Sequence, residues 1–206
     1  MKNYSYIGIS LVILVFGIWA IPKIVEKFKE PEMAVIGIVP DFEFTNQDNQ
    51  IISNKNYEGK VYVVEFFFTT CPTICPKMNE NMVDVQDEFY GNPNFAIASF
   101  TITPEIDTPE VLKKYADKVG VTHMNWHMLT GEREAIYELA NKGFNLYVNN
   151  NQDIDGHFEH SGYFALVDQE GNIRSRYDKY GNAIGFYDGL EKKEIEMLKE
   201  DIKKLL

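Results

Sequence analysis

The sequence predicts an α/β fold, a sheet with flanking helices, preceded by one N-terminal apolar helix. Three observations support this prediction. Strand-like and helix-like segments alternate along most of the chain, which is typical of a sheet covered by helices. Residues 61–68 form a dense run of β-branched and aromatic residues, as in a central strand buried on both faces. Residues 4–22 carry no charge and differ in composition from everything that follows.

The uncharged N-terminal run predicts a membrane anchor. As a helix rising 1.5 Å per residue, residues 4–22 would span roughly the 30 Å of a bilayer core. A cleaved signal peptide and a buried core helix are the alternatives, but residues 17–20 lack the small-residue pattern of a cleavage site. We therefore expect an anchor and tether over residues 1–30. The short N-terminal tail stays inside in the simplest topology, which places the rest of the chain in the periplasm or its equivalent.

The remainder, residues 31–206, has the composition of one globular domain. The chain of 206 residues is 45% hydrophobic and 14% aromatic, enough to bury an ordinary core. Its net charge of −11 excludes a nucleic-acid-binding protein, because phosphate neutralisation needs a basic face.

The elements of this domain are predicted from periodicity and from Pro, Gly and capping signals. We expect a strand pair at 36–44 and 48–52, a strand at 61–68, a helix at 76–90, a strand at 95–102, a helix at 108–118, a strand at 126–129, a helix at 132–142, a hairpin of 163–167 and 173–177, and a helix at 189–204.

Between residues 146 and 161 the sequence shows no clear periodicity and is rich in Asn and Asp. Loops of this length in compact domains are usually functional or disordered. This one ends in His157 and His160.

The two cysteines of the chain, Cys71 and Cys75, follow the predicted central strand and precede a helix that starts near Pro76. At i and i+4 on a first helical turn, both side chains share one face, so the sulfurs can converge on one soft ion or close a disulfide. A helix N-terminus also lowers the pKa of a thiol. The spacing alone leaves a structural disulfide, redox catalysis and metal binding open.

The number of cysteines narrows the choice of metal. Two thiolates suit copper(I), zinc or an iron–sulfur cluster, and an added imidazole makes a three-coordinate site that suits copper. Zinc normally takes a fourth ligand, and a cluster takes four cysteines.

Among the histidines, His160 lies where the long loop meets a predicted strand, so the loop can carry it over the cysteine turn, and His157 competes for the same role. We assign His123, His127 and Met78 to packing or to the surface.

Four motifs, in consistent order, resemble the Sco/SenC family of copper chaperones over about residues 39–177. They are FFFTTCPTICP at 66–76, DTPEVLKKY at 107–115, LTG at 129–131, and His160-Ser161 ahead of FALVDQEG at 164–171. The resemblance implies a thioredoxin-like fold and copper bound by Cys71, Cys75 and His160. It also implies a role in assembling the dinuclear copper centre of cytochrome c oxidase, with the copper-bearing subunit and other copper carriers as partners.

One position departs from the family pattern: Thr103 stands where the family commonly has an acidic residue before the proline. The departure puts a role for that carboxylate in doubt and leaves the three ligands intact.

Two functions are expected from the cysteine pair and the resemblance. The first is a copper carrier rather than an enzyme. The alternative is a thiol–disulfide oxidoreductase with Cys71 as nucleophile and Cys75 as the resolving thiol.

Overall fold

The computed structural model describes residues 5–28, 33–150, 158–160 and 162–206. The helices are α1 (Ser5–Phe28), α2 (Cys75–Glu88), α3 (Pro109–Val119), α4 (Arg133–Glu138) and α5 (Lys192–Leu205). The strands are β1 (Ala34–Ile38), β2 (Glu43–Asn46), β3 (Ile51–Ser53), β4 (Val61–Phe67), β5 (Phe95–Thr101), β6 (Trp126–Thr130), β7 (Val148–Asn150), β8 (Phe158–His160), β9 (Tyr163–Val167), β10 (Asn172–Ser175) and β11 (Tyr187–Asp188).

The α1 helix forms a unit by itself, and the chain from Met33 to Leu206 forms a second one. The helix predicted at the N-terminus is thus present. Within the described ranges, however, no helix is both long and apolar enough to cross a membrane, so the predicted span over residues 4–22 is not supported by them.

The second unit is built on a mixed sheet. Among the described residues the strands run in the order β1-β10-β9-β4-β5-β6-β2-β3, with β11 added beside β9. The three central strands β4, β5 and β6 are parallel, whereas β9 joins β4 antiparallel. Every residue of β4 and β5 is buried, because helices and loops cover both faces, and this confirms the prediction of a central strand.

The helices α2 and α5 each bury one apolar stripe against the sheet. α2 contributes Met78, Met82 and Val85 to the core, and α5 contributes Ile195, Leu198 and Ile202. The α3 helix ends at Gly120, whose φ of 90° is the left-handed conformation that glycine adopts at low cost, as the sequence predicts.

Three predicted elements differ from the structure. β1 does not pair with the following strands but lies antiparallel to β10, while β2 and β3 form the hairpin. The predicted helix over 132–142 is α4 followed by a π-helical turn at Leu139–Gly143. The predicted loop over 146–161 contains an antiparallel pair, β7 and β8, in a small sheet of its own.

The small pair forms despite its Asn-rich sequence because tertiary contacts outweigh local propensity. Asn141, in the π-helical turn, donates through Nδ2 to the carbonyl of Val148 (3.0 Å) and accepts through Oδ1 from its N–H (3.0 Å). Residues 151–157, between the two strands, lie outside the described part of the chain.

Candidate metal centre

The two cysteines lie on the turn that connects β4 to α2. The backbone N–H of Cys71 donates to the carbonyl of Phe68 (3.3 Å), which curls the chain as it leaves the strand. α2 then begins at Cys75, with Pro76 in its first turn, where the missing N–H of proline leaves no donor unsatisfied.

Cys71 also takes part in the start of α2. The residue at the N-cap position, Ile74, has no side-chain acceptor for the first N–H groups of the helix. The Sγ atom of Cys71 accepts instead from the N–H of Cys75 at 3.4 Å. The same sulfur lies 3.7 Å from the hydroxyl of Thr73. The sulfur of Cys71 therefore substitutes for a capping oxygen.

The two sulfur-bearing side chains differ in access. Cys71 is 9% exposed, whereas Cys75 is fully buried. A molecule approaching this turn from solvent meets Cys71 first.

Burial raises the pKa of the Cys75 thiol well above its ordinary value, and the hydrogen bond with Cys71 and the nearby Glu65 raise it further. A backbone hydrogen bond from Phe68 opposes these effects without cancelling them. The prediction that the helix N-terminus lowers the pKa is therefore wrong for Cys75, because the loss of solvation outweighs the helix dipole. Cys75 therefore carries its proton at neutral pH.

Asp107 fixes the residues just before Cys71. Its fully buried carboxylate accepts from the backbone N–H of Thr69 (3.1 Å) and from the Thr69 hydroxyl. It also accepts from the hydroxyls of Thr101 and Thr103, the latter at 3.0 Å. The carboxylate thus ties the cysteine turn to the end of β5. This role was not predicted from the sequence, although the Thr-x-Thr-x-x-x-Asp pattern of residues 101–107 was its signal.

The same contact accounts for the unusual Thr103. The hydroxyl of Thr103 donates to Asp107, so the residue at this position is a neutral hydrogen-bond donor that faces a buried carboxylate.

A second buried carboxylate belongs to Glu65 in β4. Its Oε1 atom accepts from the hydroxyl of Ser99 (2.7 Å), and that hydroxyl accepts from the indole N–H of Trp126 (2.9 Å). Burial raises the pKa of both Cys75 and Tyr115, and the nearby Glu65 adds to each increase. The one acidic residue in the apolar run 61–68 was the sequence signal for it.

Asn79 joins α2 to α3 behind the cysteines. Its Nδ2 donates to the carbonyl of Cys75 (2.9 Å) and to the hydroxyl of Tyr115 (3.2 Å). Burial raises the pKa of Tyr115, which keeps this phenol neutral as a hydrogen-bonding group.

The predicted third ligand lies on the β7–β8 pair. The backbone of His160 is opposite Val148. The side chain of His160 and the whole of His157 lie outside the described part of the chain. Among the side chains that are described, no group of three or more His, Cys, Asp or Glu is placed to hold a metal ion.

The other two histidines pack within the fold. The buried His123 ring meets Phe95 edge-on, and its Nδ1 accepts from the N–H of Asn125 at 3.2 Å. Asn46 hydrogen-bonds the ring of His127 at 3.2 Å. Burial lowers the pKa of both histidines, so both are mainly neutral at pH 7.

The comparisons with known proteins agree with one another. The SCO1/SenC family model matches residues 32–193. A SCO1 protein homolog of Bacillus subtilis is 36% identical over 146 residues, which cover 70% of this chain and 75% of that protein. A SCO2-like protein of Rickettsia typhi is 30% identical and covers 91% of each chain.

Solved structures give the same picture. A SCO1/SenC family lipoprotein from Bacillus anthracis superposes with a TM-score of 0.73 at 30% identity, over 85% of this chain and 98% of that one. BsSco is described as a Sco-family cytochrome c oxidase assembly protein with a disulfide switch. It superposes with a TM-score of 0.71 at 31% identity, over 86% of this chain and 98% of that one. Copper-bound ScoI of Bradyrhizobium japonicum shares the thioredoxin-like fold. It superposes with a TM-score of 0.63 at 21% identity, over 82% of this chain and 100% of that one.

Proposed function

The chain belongs to the SCO1/SenC family, and from that membership we propose that it carries one copper ion and delivers it to the copper-bearing subunit of cytochrome c oxidase. The proposed ligands are Cys71, Cys75 and His160. The observation that carries the proposal is the cysteine turn, where two side chains that can supply soft thiolates lie in hydrogen-bonding contact at one end of a rigid sheet.

The surroundings of the turn suit a carrier. Asp107 holds the segment before Cys71, and Asn79 holds the carbonyl of Cys75, so the two sulfurs are positioned before copper arrives. A site that is already formed loses less conformational entropy on binding. Cys75, which is fully buried, is suited to retain copper, whereas Cys71, at 9% exposed, is the sulfur nearer to solvent, where exchange with a partner begins.

Delivery proceeds by ligand exchange. A partner thiolate would bond to copper while Cys75 still holds it, and the bonds to His160 and Cys71 would then break. The bond to Cys75 would break last, as a second partner ligand bonds to copper. Since His160 lies on the separate β7–β8 pair, its bond to copper can break without disturbing the sheet that carries the cysteines. The oxidation state of copper does not change in this exchange.

Copper stoichiometry and spectra test the ligand set. The domain Met33–Leu206 is expected to bind one copper ion and to show thiolate-to-copper charge-transfer bands that each of Cys71→Ser and Cys75→Ser removes or shifts. His160→Ala is expected to weaken binding, with His157→Ala as the matched control three residues away. Unchanged binding in His160→Ala would remove that residue from the ligand set.

Reduction of partner cysteines is the second candidate function. It is favoured by the contact between Cys71 and Cys75, and by the disulfide switch described for BsSco, which is 31% identical. Cys71, the more accessible sulfur, would attack the partner disulfide, and Cys75 would release the mixed disulfide. Turnover with a dithiol reductant that is unaffected by His160→Ala would favour this function over copper delivery.

We further propose that residues 1–30 hold the globular domain, residues 31–206, at the outer side of a membrane. The apolar side chains of α1 support this proposal. Between Leu11 and Ile21, the large apolar side chains that the structure describes are 59–68% exposed. The lipoprotein from Bacillus anthracis is a relative whose description implies lipid attachment. Membrane fractionation of the full chain against Met33–Leu206 tests the proposal, and equal partitioning would contradict it.

A further inference from the structure

A cleft of about 280 Å³ leads to Cys71 between α2 and α3. Thr69 and Cys71 form one end of it. Because Cys75 is fully buried, Cys71 is the sulfur that this cleft makes accessible. The remaining walls come from two helices, with Pro76, Asn79, Glu80 and Val83 on α2 and Tyr115, Lys118 and Val119 on α3.

The cleft has an apolar patch between the two helices, charged side chains at its rim and one amide side chain that is almost fully buried. Val83 and Val119 are partly buried against the core, and the exposed Glu80 and Lys118 are charged. Asn79 is 1% exposed. Its Nδ2 is engaged by two acceptors, while its Oδ1 is buried and has no hydrogen-bond partner among the described residues.

A buried acceptor without a donor destabilises the free protein, and a ligand that supplies an N–H removes that cost. The cleft therefore presents three complementary features within one small space. They are an apolar wall, a hydrogen-bond acceptor and, at one end, the accessible sulfur of the cysteine pair. An extended peptide that contains a cysteine next to an apolar residue offers all three counterparts.

We infer that this cleft receives the cysteine-bearing segment of the copper acceptor, with an apolar side chain against Val83 and Val119 and a backbone N–H donated to Asn79 Oδ1. The inference rests on the proposed copper delivery and adds the surface through which the partner reaches the ion. The cleft is continuous with the cysteine turn, so a segment seated in it has its own sulfur beside Cys71.

The exchange in the cleft balances without an oxidant or reductant. A copper–sulfur bond to the acceptor forms, the copper bond to Cys71 breaks, and the proton of the acceptor thiol ends on the sulfur of Cys71. The cleft contributes proximity, since it converts an encounter between two proteins into a reaction between neighbouring sulfurs.

Filling the cleft tests the inference in the full, copper(I)-loaded chain. Val119→Trp places a large side chain in the cleft, and Lys114→Trp on the same helix is the matched control because Lys114 is exposed and outside the cleft. Two rates are measured, transfer to the purified copper-bearing domain of the oxidase subunit and extraction by cyanide, which is small enough to reach copper without the cleft.

Val119→Trp is expected to slow transfer to the protein acceptor by about tenfold or more, with cyanide extraction changed by less than about twofold. Lys114→Trp is expected to change neither rate. Transfer by Val119→Trp at the wild-type rate overturns the cleft assignment while leaving copper delivery intact. A wild-type chain that binds copper and transfers none to this domain contradicts the proposed delivery itself.

A second measurement needs no variant of this chain and decides the matter if Val119→Trp does not fold. Hydrogen exchange of the wild-type chain is compared with and without an acceptor domain whose copper-binding cysteines are serines, so that it docks without taking the ion. Slower exchange at residues 76–83 and 115–119 supports the inference. Protection confined to other surfaces overturns it.

Discussion

The turn that carries Cys71 and Cys75 and the strand pair that carries His160 are held in opposite ways. The turn is attached directly to the central strands, and the buried Asp107 accepts hydrogen bonds from Thr69, just before Cys71, and from Thr101 at the end of β5. The β7–β8 pair belongs to a separate small sheet, which Asn141 joins to the preceding turn. Two of the proposed ligands are thus part of the core, and the third lies on a separate small sheet. This difference suits a carrier, because a carrier must both retain and release an ion.

The largest effect is expected from removing the carboxylate that fixes the cysteine turn. Asp107→Ala leaves the N–H of Thr69 and the buried hydroxyls without their acceptor, so the free energy of unfolding should fall by about 3 kcal/mol. Urea unfolding of Met33–Leu206 measures the loss. Asp117→Ala, an exposed carboxylate on α3, is the control and should change stability by less than about 0.5 kcal/mol. Equal effects of the two variants would mean that Asp107 does not brace the turn.

Access to the two sulfurs is the next test. Alkylation of the native, reduced protein with iodoacetamide should modify Cys71 at least about tenfold faster than Cys75, because Cys75 is fully buried and its raised pKa keeps it protonated. Mass spectrometry of peptide digests follows each site, and the urea-unfolded protein, in which both should react alike, is the control. Faster modification of Cys75 would reverse the roles assigned to the two thiols.

A smaller effect is expected at the strand pair. Asn141→Ala removes both hydrogen bonds to Val148, which should cost about 1 kcal/mol and speed amide exchange in β7 without changing exchange in β4. Lys142→Ala, next in sequence and in an exposed ion pair, is the control with an effect near zero. If exchange accelerates in β4 as well, the pair is not an independent appendage.

The last effect is expected at His123, one of the two packed histidines. His123 has a lowered pKa in the folded protein, so the unfolded chain binds protons more readily as the pH falls below about 6.5. Folding stability should therefore decrease with falling pH in that window, by no more than about 1.4 kcal/mol per pH unit from one such site. Urea unfolding between pH 7 and 5 measures the slope, which His123→Gln should reduce. An unchanged slope would show that His123 is not the group responsible.

The sequence predicted the parts of the molecule that local pattern controls. The run 61–68, the end of α3 at Gly120 and the position of the cysteines between a strand and a helix are all present as expected. Each depends on side-chain burial or backbone geometry over a few residues.

The errors concern interactions between distant parts of the chain. β1 pairs with β10 because the edge of the sheet is completed by a strand more than 130 positions later, which no local signal specifies. The raised pKa of Cys75 likewise depends on burial by the finished fold, which outweighs the helix dipole that the sequence suggests. Asp107 was visible in the sequence, but its partner Thr69 is 38 residues away.

The contact between the Cys71 sulfur and the N–H of Cys75 makes the first turn of α2 sensitive to the state of the thiol. The proposed copper–sulfur bond, or a disulfide, would use electrons of the same sulfur that accepts this hydrogen bond. Each such change would therefore alter the environment of one backbone amide at the start of the helix. The chemical shift of the Cys75 amide would then report the state of the Cys71 sulfur without an added probe.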